Sequence, residues 1–311
     1  IPANYKENCI YALTTLVDGA NKVQVTFDEN ANIGEYDTLY IYKNDAKSIS
    51  QYTTQRATLN KDKIASRTFC MDGNASTILL ESDKGEKPQE SLKFTTSSYQ
   101  TPDNVLESPH NYYNNMRENY TKRIDGAMML KLTFDEECFL ERSCDKLYIY
   151  DESGKLLLQY TGAELAHQIV YVTGSYVRIY LTTDGSVTNY GFRCTVEDAT
   201  DELEKVGEEV VLESDHPYKN NMDKYYTASI PGATLVKLEF DSNTELENNY
   251  DKLYIYNSVG TQVGYYTGTG LKGKTLMISD GLIKIRLKTD SSVTKNGFKC
   301  TVTGYKLKGR W

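Results

Sequence analysis

The sequence predicts an all-β protein built of three tandem β-sandwiches, and three observations carry that reading. Residues 106–196 recur at 212–302, displaced by 106 positions without a gap. Within each copy apolar and polar residues alternate, as in Lys131-Leu132-Thr133-Phe134 and Val177-Arg178-Ile179-Tyr180-Leu181, the pattern of strands with one wet face. Turn signals such as Ser153-Gly154, Pro231-Gly232, Gly268-Thr269-Gly270 and Asp280-Gly281 punctuate these runs, and no segment sustains a helical period. About eight short, mostly antiparallel strands per repeat make a sandwich.

The repeats set the domain organisation. Asp145-Lys146-Leu147-Tyr148-Ile149-Tyr150 returns as Asp251-Lys252-Leu253-Tyr254-Ile255-Tyr256, and Leu106-Glu107-Ser108 returns as Leu212-Glu213-Ser214. A worn third copy, anchored on Asp37-Thr38-Leu39-Tyr40-Ile41-Tyr42, fills the N-terminal part. The expected units are 1–103, 104–205 and 206–311. Tyr5 precedes Phe27 by the 22 residues that separate Tyr112 from Phe134 and Tyr218 from Phe240, yet its Glu-Ser-x-His lead-in is missing. The chain therefore reads as a mature or excised form whose leader has been removed. The acidic run Glu197–Glu204 between repeats 2 and 3 reads as a solvated connection, short enough for a semi-rigid rod.

Composition excludes several classes. A net charge of −8 with no Lys/Arg cluster argues against nucleic acid. No apolar run reaches the roughly 18–20 residues needed to cross a bilayer. Tyrosine dominates the aromatics, with 26 Tyr against 8 Phe and 1 Trp, which suits half-wet strands and interfaces. Of six cysteines, Cys138 and Cys144 flank a short loop and are candidates for a local bridge. Cys9 and Cys70 are the internal pair open to repeat 1, and Cys194 and Cys300 read as buried thiols on the last strand of their repeats. Sequons at Asn74 and Asn119 make these the glycosylation candidates and favour an extracellular or cell-surface setting.

The segments Glu141…Cys144-Asp145-x-Leu147-x-Ile149-Tyr150, Tyr160-Thr161-Gly162 and Thr183-Asp184-x-Ser186…Gly191-Phe192 resemble the CUB domain family. The Glu-Ser-x-His…Tyr…Asn-Asn lead-in at 107–115 and 213–221 looks like a CUB-like subgroup found in larger multidomain proteins. The resemblance implies jelly-roll sandwiches that bind partners without catalysis, many with calcium at one end. Carried over by position, it implies ligands Glu141, Asp145 and Asp184 in repeat 2 and Glu247, Asp251 and Asp290 in repeat 3. Backbone carbonyls near Ser186 and Ser292 complete the shell. The four-cysteine framework usual in animal extracellular CUB domains is absent.

The chemistry agrees independently, because three converging carboxylates repel one another unless a hard cation neutralises them. The competing reading has each Asp capping a turn through its backbone N–H groups. In repeat 1 the loop before Asp37 is one residue shorter, which aligns Ile33 with Glu141 and leaves Glu35 as a substitute. With the Ser…Gly-Phe ending also replaced, repeat 1 is expected to lack the site.

The family resemblance further implies an extracellular protein partner, presenting a Lys or other basic group to the calcium-braced rim. An enzyme is disfavoured. His110 and His216 are one position copied, read as loop packing, and no zinc-ligand cluster or Gly-x-Ser-x-Gly elbow occurs. Two alternatives stay open: a calcium-dependent carbohydrate-binding module using the outward ladder Tyr148, Tyr150, Tyr254 and Tyr256, and a self-assembling subunit of a fibre or coat. The ladder also reads simply as cover for the outer sheet face.

Overall fold

A computed structural model describes residues 1–44, 54–59, 64–85, 87–89 and 91–309. Repeat 1 forms β1 (Ile10–Leu16), β2 (Lys22–Phe27), β3 (Thr38–Asn44), β4 (Thr54–Leu59), β5 (Thr68–Asp72), β6 (Ala75–Glu81) and β7 (Phe94–Ser98). Repeat 2 forms β8 (Val105–Glu107), β9 (Arg117–Arg123), β10 (Met129–Phe134), β11 (Lys146–Tyr150), β12 (Leu156–Tyr160), β13 (Ile169–Thr173), β14 (Tyr176–Thr182) and β15 (Arg193–Asp198). Repeat 3 forms β16 (Leu203–Glu213), β17 (Asp223–Ser229), β18 (Leu235–Phe240), β19 (Lys252–Asn257), β20 (Gln262–Tyr266), β21 (Thr275–Ile278), β22 (Leu282–Lys288) and β23 (Lys299–Leu307).

Repeats 2 and 3 share one topology. Each pairs a sheet of order β13-β10-β15-β8 or β16-β23-β18-β21 with one of order β12-β11-β14-β9 or β17-β22-β19-β20. Every pairing is antiparallel. Repeat 1 has the sheets β1-β6-β3-β4 and β5-β2-β7, with no described counterpart of β8 or β16 beside β7. Its first residue follows the equivalent path: the Ile1 amine donates to the Leu92 carbonyl at 3.0 Å, as the Ser108 amide does to Phe192.

The alternation read from sequence is the burial pattern. Leu147 and Ile149 on β11 and Val177, Ile179 and Leu181 on β14 are fully buried, facing Leu130, Leu132, Phe192, Cys194 and Val196 from the other sheet. A one-residue slip would turn each set into water, so the register is strongly specified.

Two expectations about connections change. The acidic run between repeats 2 and 3 is packed rather than merely solvated. Ala199 and Leu203 are buried with Met129 and Leu235 in a small core of their own, and a single 3-10 turn spans Thr200–Glu202. Glu202 meets Lys131 at 3.1 Å and Tyr171 at 2.5 Å, and Thr173 hydrogen-bonds Ser279, its own counterpart one repeat on, at 2.5 Å. The charged side chains of the run read as solvent-facing by composition, while the small apolar residues among them do the packing.

The two bridge candidates are not formed, and all six cysteines are free thiols. Cys138 is buried with its Sγ against the Arg193 backbone, whereas Cys144, further along the same connection, is exposed beside Glu141 and Asp184. Cys9 is held by Ser82 beside β1, while Cys70 lies on β5 of the opposite sheet, where its neighbours Phe69 and Met71 take the core face. Burial of Cys300 pushes its thiol up to about 12.

Candidate metal centre

Three loops meet at one end of each sandwich. In repeat 2 the β8–β9 loop brings Tyr112, the loop before β11 brings Glu141, Cys144 and Asp145, and the β14–β15 loop brings Asp184. Asp145 is fully buried. Its Oδ2 accepts the Tyr112 hydroxyl at 2.5 Å and its Oδ1 accepts the Asp184 amide at 2.8 Å. The same Tyr112 oxygen accepts the Glu141 amide at 2.9 Å. Thr161 ties the loop underneath, its hydroxyl facing the Asp145 and Glu141 carbonyls at 2.9 and 3.2 Å and accepting the Ser143 amide at 2.8 Å.

Repeat 3 reproduces these bonds. Tyr218 donates to Asp251 at 2.5 Å, the Asp290 amide donates to Asp251 at 2.8 Å, and the Glu247 amide donates to Tyr218 at 2.9 Å. Tyr112 and Tyr218 were not assigned a role by sequence reasoning. The signal was present in the fixed spacing from tyrosine to phenylalanine in all three repeats.

The carboxylates are not fully satisfied. Glu141 Oε2 and Glu247 Oε2 are buried without a hydrogen-bond partner, against the usual pairing of buried polar atoms. Burial first, then the charges of Asp184 and Asp145, raises the pKa of Glu141 above the ordinary carboxylate value. Burial, Asp290 and Asp251 do the same to Glu247. Asp145 is also raised, burial outweighing the bonds from Tyr112 and Asp184.

The two sites differ in one donor. In repeat 3, one oxygen from each of Glu247, Asp251 and Asp290 lies within 4.8 Å of the others. In repeat 2 the set at that spacing is Glu141, Cys144 and Asp184, with Tyr250 at the position matching Cys144. An all-oxygen acidic set suits a hard cation, and a thiol suits a softer one. Ser186 and Ser292 donate their amides to Asp184 and Asp290 Oδ1, both at 3.0 Å, so the turn-capping role of these aspartates is present alongside their place in the cluster.

Repeat 1 corrects the alignment. The Gly34 amide donates to the Tyr5 hydroxyl at 2.9 Å, as the Glu141 amide does to Tyr112, so Gly34 rather than Ile33 stands in place of Glu141. Ile33 is buried in the core like Leu140, and Glu35 is exposed. The deleted residue lies between Gly34 and Asp37, which gap-free counting from Asp37 misplaces by one.

The remaining candidates lie elsewhere. Tyr148 and Tyr150 stack at 6.4 Å, and Tyr254 and Tyr256 at 6.2 Å, half-buried on the outer sheet face. Arg178 lies over the Tyr150 ring at 4.0 Å. Asn119 is exposed on the edge strand β9, where it accepts Arg178 at 2.9 Å; Asn74 is half-buried, with its Oδ1 buried and unpaired. His110 stacks on Tyr190 at 4.0 Å and bonds Glu107 at 2.9 Å, the loop packing expected of it.

A family model for the CUB domain matches residues 204–302. The chain is 38% identical over 98 residues to Zinc finger ZZ-type and EF-hand domain-containing protein 1 of Mus musculus, covering 30% of this chain and 3% of that protein. It is 31% identical over 94 residues to E3 ubiquitin-protein ligase HERC2 of Homo sapiens, covering 30% of this chain and 2% of that protein. The chain thus spans only a few per cent of the length of these curated relatives. A distant likeness to the CUB1-EGF-CUB2 domain of human MASP-1/3 has a TM-score of 0.28 at 16% identity, over 65% of this chain and 98% of that one. Residues 204–302 are a CUB domain, and residues 106–196 repeat its sequence and strand order within the same chain.

Proposed function

We propose that this protein is a non-catalytic recognition module of three units, 1–103, 104–205 and 206–311, in which repeats 2 and 3 each take a calcium ion that braces an acidic rim for a protein partner. One observation carries the reading: Glu141 Oε2 and Glu247 Oε2 are buried and unpartnered beside further carboxylates. A hard cation satisfies those oxygens and removes the repulsion among them. Glu141, Asp145 and Asp184 hold it in repeat 2, and Glu247, Asp251 and Asp290 in repeat 3, with carbonyls near Ser186 and Ser292 completing the shell.

The rim has the character of a contact surface. Val187 and Val293, 57% and 52% exposed, follow the Asp184 and Asp290 turns with φ of 49° and 53°. A β-branched residue in that region is a backbone outlier of the kind found at binding loops. An apolar side chain beside an acidic, cation-held loop suits a partner presenting a basic group, and two such rims in one chain supply avidity. The glycan reading is less favoured, because Arg178 and Arg286 already lie over the Tyr150 and Tyr254 rings at 4.0 and 5.7 Å.

The test is tyrosine-sensitised terbium luminescence of the full chain, displaced by calcium. Two displaceable ions per chain are expected, one lost with Asp184→Ala and the other with Asp290→Ala. Absence of any calcium-displaceable signal sinks the cation reading.

We place the protein outside the cell, as the sequons suggest. No helix of the described residues is long and apolar enough to cross a membrane. The six free thiols favour a second reading, a recognition module in a reducing compartment. Alkylation and intact mass of the protein taken from its native source decide: six labelled thiols support the reducing compartment, and any bridge supports the extracellular one.

A further inference from the structure

Repeat 1 keeps two of the three acidic positions and holds them with the same bonds. Tyr5 donates to Asp37 Oδ2, and the Asp83 amide donates to Asp37 Oδ1 at 2.8 Å, matching Tyr112, Asp145 and Asp184. What differs is the charge that faces them. Lys87 Nζ lies 2.9 Å from Asp37 Oδ1, 3.2 Å from Asp83 Oδ1 and 2.9 Å from the Asp83 carbonyl. An ammonium has three protons, and each has its acceptor here. The lysine side chain is 7% exposed, the Asp37 side chain is fully buried, and Nζ stands 5.6 Å from the Tyr5 ring centroid.

The loop sequences explain why only repeat 1 does this. Four residues after the second aspartate stands Lys87 in repeat 1, but Thr188 and Thr294 in repeats 2 and 3. The position that supplies Glu141 and Glu247 is Gly34, so repeat 1 has lost a carboxylate and gained an ammonium. Gly85, whose amide donates to Asp83 Oδ1 at 2.6 Å, leaves that approach open: an added Cβ would stand 3.0 Å from the same oxygen. A buried carboxylate such as Asp37, facing the more exposed Asp83, is unfavourable without a cation, and a tethered lysine supplies the cation from within the chain.

We propose that the acidic end of repeat 1 is a permanently self-occupied site, in which the Lys87 ammonium replaces the external cation of the other two repeats. Repeat 1 is then ordered without metal and closed to basic groups of a partner, and it serves as a fixed support for two cation-dependent rims. The inference rests on the calcium reading only for what Lys87 replaces.

The experiment uses the full chain carrying Asp184→Ala and Asp290→Ala, melted in chelator, so that the fate of the other two sites cannot affect the outcome. Adding Lys87→Ala should lower the melting temperature on the order of 10 °C. Ethylammonium chloride at about 50 mM should restore much of that loss, while sodium chloride at equal ionic strength should not. A melt indifferent to Lys87→Ala, or a loss that ethylammonium fails to restore, overturns the proposal. Should the variant not fold, the unaltered chain provides the second measurement. One lysine ammonium, absent in Lys87→Arg, should exchange its protons with water at least tenfold more slowly than the others in nitrogen-detected NMR; uniform fast exchange overturns the proposal equally.

Discussion

The Tyr112 hydroxyl donates to Asp145 Oδ2 at 2.5 Å while accepting the Glu141 amide at 2.9 Å, so one buried oxygen joins two of the acidic positions of repeat 2. Tyr218 stands in the same relation to Asp251 and Glu247. Removing either hydroxyl leaves a buried carboxylate oxygen and a backbone amide without partners. Tyr112→Phe or Tyr218→Phe should therefore cost about 1–3 kcal/mol in denaturant unfolding. Each should also weaken calcium at its own repeat and leave the other repeat unchanged.

Calcium itself should stabilise the chain. An ion bound at a hundred times its dissociation constant adds about 2.7 kcal/mol, so chelator should lower the melting temperature by several degrees. The Asp184→Ala, Asp290→Ala double variant should melt at one temperature with or without chelator.

That gain should depend on pH in a stated direction. Glu141, Glu247 and Asp145 have raised values in the fold. A raised carboxylate binds its proton more tightly folded than unfolded, so the metal-free chain loses stability as pH rises from the ordinary carboxylate range through the raised values. Calcium takes the proton's place. The melting difference with and without calcium should widen from pH 4.5 to 7, and a difference independent of pH would contradict this assignment.

Glu107 and Glu213 are one position copied, but their surroundings are not. Glu107 accepts Thr101 and His110, both at 2.9 Å, and also the Tyr99 hydroxyl, so it fastens the segment leaving repeat 1. Burial opposes ionisation, yet the bonds from His110, Tyr99 and Thr101 hold its carboxyl down to about 2. A depressed value contributes stability above the ordinary carboxylate range that is lost as pH falls toward 2. Glu213 meets His216 at 2.8 Å with both side chains substantially exposed, 42% and 31%. Glu107→Ala should cost on the order of 3 kcal/mol, and Glu213→Ala less than about 1 kcal/mol, in the same denaturant titration.

Much of this protein is legible in the order of its residues. The 106-residue displacement and the period-two alternation of segments such as β11 and β14 follow from local geometry, because a strand exposes alternate side chains to opposite faces. The acidic positions were legible too, since a duplicated motif keeps its spacing. Tyr112 and Lys87 carried weaker signals. Each acts across a sequence separation, 33 residues from Tyr112 to Asp145 and 50 from Lys87 to Asp37, that spacing alone cannot close.

By itself, the sequence determined the strands, the face each apolar residue buries, and which loops carry carboxylates. Only the tertiary structure decided how those carboxylates are satisfied. It left Glu141 and Glu247 with unpaired oxygens, gave Asp37 an ammonium from its own chain, and kept every cysteine apart. The physical reason is that alternation is a property of neighbours along the chain. A buried charge is settled by groups that meet only after the two sheets have closed.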